Sequence, residues 1–340
     1  MKITIRYFAI FLGFILPSSK IIGQELSQPL FDKKEVLPMR LETNLKVLLK
    51  EKVKTHEYHW AKLSYTGDQN DSVAIPIKLR VRGNFRLSSG TCNFPPLLLN
   101  FPKKKIKNTL FDHQGKLKLV TQCADPEYVA REYMVYEIYN LLTDLSFKAR
   151  MTDVTYIDSL GKIKPKTTHG FFIENELDIA KRISAESFTR KNIRLFQLDT
   201  MQSALVTMFE YLIGNHDWSV PGLHNIKIYI QPGKLFLPIP YDFDHAGIVE
   251  ARYALPPEQL EISSVRERLY RGLDYPPAVF QKVFDKFNSI KPQLYALYEG
   301  NPLLDAKYVK RTLQYFDEFY AEINDPKGIK KHFTGGRTRN

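Results

Sequence analysis

The chain is poor in cysteine, with two in 340 residues, and that scarcity excludes a small disulfide-stapled scaffold. Stability must come from a core, and 44% hydrophobic content suffices for a large one. Beyond the first residues no apolar run approaches the ~20 residues that a membrane-spanning helix needs. Internal repeats and flexible linker composition are also absent, so neither a solenoid nor a string of loosely tethered domains is expected. The chain is basic, yet no aromatic-interleaved basic motif accompanies the charge, so nucleic acid is not an expected partner. No Cys or His stands at ligand spacing beside Cys92 or Cys123, which argues against zinc. The two cysteines read as a disulfide between neighbouring strands, closing a ~30-residue loop for ~3 kcal/mol, or as two buried thiols.

What is present begins with Lys2 and Arg6, an apolar run from Tyr7 to Leu16, and Pro17-Ser18-Ser19 before a small residue, Gly23. That pattern predicts a secretory signal over residues 1–23 cut near Gly23, and an exported mature chain. No Cys follows the run, so lipid modification of the new N-terminus is not indicated. Loss of Lys2, Arg6 and Lys20 with the signal lowers the net charge from +12 to +9. Part of the excess lies in Lys103-Lys104-Lys105-Ile106-Lys107 and in the C-terminal tail, and it reads either as a solvated basic face with a frayed end or as attraction to anions: nucleotide, acidic glycans or phospholipid head groups of the envelope.

Val73 to Arg82 alternates, with Ile75, Ile77, Leu79 and Val81 on one side and Lys78, Arg80 and Arg82 on the other, as a half-buried strand does. Pro76 places it near an edge or a strand start. Further strands are expected over Pro95–Phe101, Lys116–Val120, Met151–Ile157 and Gly170–Glu174. The loop from Arg82 to Gly90 is rich in small and basic residues and could offer N–H groups to phosphate. Asp125-Pro126 opens a helix running to about Leu142. Helical periodicity follows from Asp178 to about Tyr211, then over Val265–Tyr270, Pro277–Leu294 and Ala306–Ile323. Strands dominate before Glu174 and helices after it.

The densest chemistry lies between Gly214 and Gly247: Gly214-Asn215-His216-Asp217, then His224-Asn225, then Tyr241-Asp242-Phe243-Asp244. Three carboxylates and a carboxamide on loops bounding a hairpin are what a site needs to hold Mg²⁺ against nucleotide phosphates and to steer a hydroxyl onto one of them.

These pieces, with Arg82-Gly83-Asn84, Phe101-Pro102-Lys103-Lys104, Lys116-Leu117-Lys118-Leu119, Arg131-Glu132 and Gly170-Phe171-Phe172-Ile173-Glu174, resemble the spore-coat-protein-H type of atypical protein kinase. The resemblance spans about Leu79 to Gly247. It implies an α+β, bilobal, atypical protein-kinase-like fold: a β-rich N-terminal lobe with one helix over residues 24–174, a mainly helical C-terminal lobe over 175–325, and a basic flexible tail over 326–340. It implies ATP and Mg²⁺, with Mn²⁺ as a substitute, and transfer of the γ-phosphoryl group to a hydroxyl on a protein or glycan. Carried onto this chain, Asp217 orients or deprotonates the acceptor, while Asn225, Asp242 and Asp244 are the metal ligands. Lys118, with Lys116 as rival, meets phosphate and pairs with Glu132; Arg82 lies beside the glycine loop, and Ile173 and Glu174 offer backbone groups to adenine. Two departures are visible: Asp217 to Asn225 is longer than Asp-x-x-x-x-Asn, and no Gly follows Phe243 directly. Two other readings remain: a catalytically inactive protein of that fold binding envelope glycans, and a calcineurin-like metallophosphoesterase using Gly214-Asn215-His216-Asp217 with Gly67-Asp68-Gln69-Asn70-Asp71.

Overall fold

The computed structural model describes residues 29–50, 57–83, 92, 94–233 and 236–333. The expected signal segment, most of the Arg82–Gly90 loop and residues 334–340 lie outside them.

Seven strands close on one another: β1 (Leu37–Thr43), β2 (His59–Thr66), β3 (Ser72–Val81), β4 (Leu97–Asn100), β5 (Lys116–Thr121), β6 (Ala149–Asp158) and β7 (Lys166–Ile173). Their order around the barrel is β1-β2-β3-β4-β5-β7-β6. This corrects the bilobal kinase-like architecture. The N-terminal strands form a closed barrel, joined by a small sheet and helices. Closure rests on β1, which pairs antiparallel with β2 and parallel with β6, from Leu37 opposite Thr152 to Thr43 opposite Asp158. A sheet whose first strand meets its last leaves no open edge. Pro76 is tolerated inside β3 because it pairs with Lys62 on one side and lies before β4 pairing starts at Lys78.

Alternation fills the barrel with Leu41, Leu63, Ile77, Leu79, Leu99, Leu117 and Phe172, all fully buried. The β4–β5 connection inserts Phe111 among Tyr65, Phe101 and Phe172, at 5.5, 4.8 and 5.8 Å between ring centroids. Between β5 and β6 runs a helix, α3 (Pro126–Leu142), numbered after two short ones, α1 (Pro29–Asp32) and α2 (Leu45–Lys50). Asp125 caps α3 by accepting from the Glu127 N–H, with Pro126 in its first turn. It is buried on every side because it is a shared wall: Tyr136 meets Phe171 of the barrel at 5.5 Å and Phe243 of the second half at 4.8 Å.

The second half holds α4 (Glu176–Arg182), α5 (Thr200–Ile213), α6 (Pro277–Tyr298), α7 (Ala306–Asn324) and α8 (Pro326–His332). A small sheet, order β10-β9-β8, joins β8 (Glu186–Phe188), β9 (Ile226–Ile230) and β10 (Phe236–Pro240). Three expectations change here. The 178–211 stretch is broken by β8 and a 3₁₀ turn at Leu195–Gln197, and its long helix starts only where Asp199 caps it. Val265–Tyr270 is not helical: it crosses Gly214 and Gly247 so closely that a Cβ on Gly247 would sit 2.3 Å from the Val265 carbonyl oxygen. Residues 326–332 are helix rather than tail, because Asp325 caps them and Phe333 is buried behind them. No described helix is long and apolar enough to cross a membrane.

Candidate functional site

One cleft of about 500 Å³ lies between the outer face of the barrel and the loops of the second half. Asp217, Asn225, Asp242 and Asp244 line it on one side, and Arg80, Arg82 and Lys118 on the other.

The loop wall is built by short-range devices. Gly214, at φ 65°, ends α5 in the left-handed conformation that glycine adopts without penalty. Asn215 then binds in both directions: its Nδ2 donates to Glu210 Oε2 at 2.8 Å and its Oδ1 accepts from the Asp217 N–H at 3.0 Å. His216 turns inward to the Glu267 carbonyl at 2.8 Å, and Arg271 donates to the His216 and Trp218 carbonyls. Only Asp217 of the four motif residues reaches the cleft. Backbone bonds between Ser219 and His224, at 2.9 and 3.0 Å, pinch off residues 219–224 and return the chain to Asp217. The eight-position spacing is therefore a short loop closed on itself.

Asn225, 8% exposed, donates Nδ2 to the Asp217 carbonyl at 2.8 Å and to Asp217 Oδ2 at 3.0 Å. Its Oδ1 is left on the opposite side of the amide, as a hard oxygen for a cation. Asp217 Oδ1 meets His224 Nε2 at 2.8 Å. The Asp242 N–H donates to the Tyr136 hydroxyl of α3 at 2.9 Å, and Asp244, buried, accepts from Tyr253 at 3.2 Å. Asn225 and Asp242 both hold left-handed backbones, φ 51° and 63°, strain of the kind that collects at functional sites.

The opposite wall is cationic. Lys118 Nζ lies 3.1 Å from Glu176 Oε1, and Lys227 Nζ lies 3.3 Å from Glu176 Oε2, both ammoniums 5.2–5.3 Å from the centre of the Tyr241 ring. Burial pushes the Lys118 pKa down, and the nearby Arg82 charge adds to this. Burial would raise Glu176, but Lys118 and Lys227 together outweigh it and hold its carboxyl below the usual value. Beneath the loop wall, Glu210 is buried, and desolvation raises its pKa to about 8.

Not every expected residue is in the cleft. The Lys116 side chain is exposed on the barrel face. Glu132 is buried within α3 and is not the partner of Lys118; Glu176 is. Glu174 is a structural residue: its carboxylate binds Arg182 at 2.8 Å, and its N–H is given to the Lys148 carbonyl rather than offered to adenine. Asp68 and Asp71 line a separate cavity at the β2–β3 turn, with Asp68 paired to Lys33 at 2.7 Å, so the metallophosphoesterase ligands do not converge. The cleft also holds Glu176 and Lys227, which the motifs do not include, and His224 and Tyr241, which stand in the motifs without a role. Lys227 is legible in the alternation of Ile226-Lys227-Ile228, which turns both isoleucines into the core and the lysine to the other face, directly after Asn225.

Among the described residues no three His, Cys, Asp or Glu side chains form a metal-holding group. Asn225 with Asp242 and Asp244 is instead an incomplete oxygen set, which suits Mg²⁺, since that ion takes its other ligands from phosphate and water. Comparison with protein-family models and with curated proteins returned no match.

Proposed function

We propose that the cleft binds ATP with Mg²⁺ and transfers the γ-phosphoryl group to an acceptor hydroxyl, in a chain exported from the cytoplasm. One observation carries the reading: Asp217, Asn225, Asp242 and Asp244 share a single cleft with Arg80, Arg82, Lys118 and Lys227. A metal–triphosphate complements both signs of charge at once, the metal toward the carboxylates and the phosphates toward the cations. The acidic motifs of the spore-coat-protein-H resemblance enter this reading; its bilobal fold does not.

In this reading Asn225 Oδ1, Asp242 and Asp244 hold Mg²⁺, which supplies neutralisation of the phosphate charge. Asp217 accepts the hydrogen of the acceptor hydroxyl and aims its oxygen. Asn225 and His224 keep that carboxylate in one orientation, so little reorganisation is needed at transfer. Lys118, Arg82 and Arg80 meet phosphate oxygens and stabilise charge from the other side. The Cys92–Cys123 disulfide supports export, because such bonds persist in oxidising compartments.

The test is incubation of the mature chain with γ-labelled ATP and Mg²⁺, with and without an extract of its own cell envelope. Labelled product is the expected result. Absence of label, together with no thermal shift at millimolar ATP, would leave the cleft without this function.

A further inference from the structure

The barrel wall does not stop at the cleft. Strand register sets its outer face in rows: Arg80, Leu98 and Lys118 form the row above the cleft, and Trp60, Lys78, Asn100 and Lys116 form the next row out. Adjacent strands lie about 4.8 Å apart, so the outer row is a track of about 14 Å, roughly 7 Å from the cleft row. Trp60 is 69% exposed, an unusual state for an indole on a barrel. The Lys78 ammonium lies 4.7 Å from its ring centre, and Lys78 and Lys116 are otherwise open to solvent. The exposed turn Lys103–Lys105 begins three residues beyond Asn100 and adds positive charge after the end of that strand.

We propose that this track binds a strand of acidic polysaccharide and presents its hydroxyls to the cleft. The proposal deepens the phosphotransfer reading and rests on it for the word acceptor. The flat C–H face of a sugar ring packs on an exposed indole, while carboxylate or phosphate groups along the polymer match cations at strand spacing. An acidic peptide offers the charge but no ring face for Trp60, which is why a glycan is the favoured occupant.

The experiment is calorimetric titration of the mature chain, without nucleotide, with a short oligogalacturonate, a neutral glucan oligomer and poly-glutamate. Oligogalacturonate should bind, the neutral oligomer should not, and poly-glutamate should bind at least tenfold more weakly. Trp60→Ala and the double variant Lys78→Ala/Lys116→Ala should each weaken oligogalacturonate binding about tenfold, the second with a reduced salt dependence. Failure of oligogalacturonate to bind, binding indifferent to both variants, or equal Trp60-dependent binding of poly-glutamate overturns the proposal. The two readings fail separately. Label transferred from ATP to some other hydroxyl, with no polyuronate binding, sinks the track alone. Polyuronate binding with no transfer to any acceptor overturns the acceptor assignment together with the reading beneath it.

Discussion

The two walls of the cleft are placed by different physics. On the loop wall, Asp217, Asn225 and Asp242 are set by devices a few residues long: a left-handed glycine, an Asn turn, a pinched loop and two left-handed ligand positions. On the barrel wall, Arg80, Arg82 and Lys118 are set by strand register, and Lys118 finds its partner 58 residues away. Asp217, Asn225 and Asp242 are thus written into compact motifs, while Arg80, Arg82 and Lys118 owe their meeting to long-range pairing; Lys227, two positions after Asn225, is the cation that arrives with the motifs. If that division is right, changing either wall should damage a different quantity.

The largest expected effect is on the loop wall. Asp217→Asn and Asp242→Asn should each lower phosphoryl transfer by about 10³-fold while leaving the far-UV circular dichroism unchanged. They separate on binding: Asp242→Asn should weaken Mg²⁺-dependent ATP binding, and Asp217→Asn should not. Wild-type phosphorylation by both variants would falsify the assignment of this wall.

The same division explains what could be read in advance. The helix that opens at Asp125-Pro126 and runs to about Leu142 was legible because its cap and its proline are local, and the motifs that bring Asp217, Asn225, Asp242 and Asp244 into one cleft are equally short. The barrel was not. Its closure depends on β1 meeting β6 at a separation of more than a hundred residues, and on β1 and β2, whose short alternation before Val73 was not recognised. Glu132 looked like the partner of Lys118 because it lies on the next helix in sequence. The fold turns it into the core and brings Glu176 to the lysine instead.

Each wall also has an anchor whose loss should be measurable in stability. Beneath the loop wall, Glu210 has an ordinary carboxyl value of 4.5 raised to about 8 by burial. Between those values the unfolded chain has released a proton that the folded chain keeps, so stability falls as pH rises through that window and flattens above it. Glu210→Gln preserves the acceptor for Asn215 and removes the titration. Its melting temperature should therefore decline less between pH 5 and pH 8 than that of the wild type. His216, whose pKa burial depresses, acts in the opposite sense and is common to both proteins. Parallel melting curves across the window would show that Glu210 is not held neutral.

The anchor of the barrel wall is the disulfide, which ties the segment before β4 to the end of β5 across 31 positions. Cys92→Ser with Cys123→Ser should cost about 3 kcal/mol, or on the order of 6–10 °C in melting temperature. Reductant should reproduce the loss in the wild type and leave the double variant unmoved. A wild type insensitive to reductant would mean that register alone holds this wall.

The smallest effect tests the wall-to-wall logic most directly. Glu176 occupies the two ammoniums that a triphosphate would take, so the carboxylate and the nucleotide compete for Lys118 and Lys227. Lys118→Met should weaken ATP about tenfold, as loss of one charge-assisted contact does. Glu176→Gln should act with the opposite sign, tightening ATP by severalfold, because the competitor loses its charge. The gain should shrink in the double variant Lys118→Met/Glu176→Gln, since one of the two ion pairs of Glu176 is already gone and only the pair with Lys227 is left to release. Glu132→Gln provides the contrast: buried in α3 and out of the cleft, it should change the melting temperature and leave ATP affinity within twofold. If Glu132→Gln, rather than Glu176→Gln, altered ATP affinity, the helix would be reaching the phosphates after all, and the register-built wall would be the wrong account of where Lys118 gets its partner.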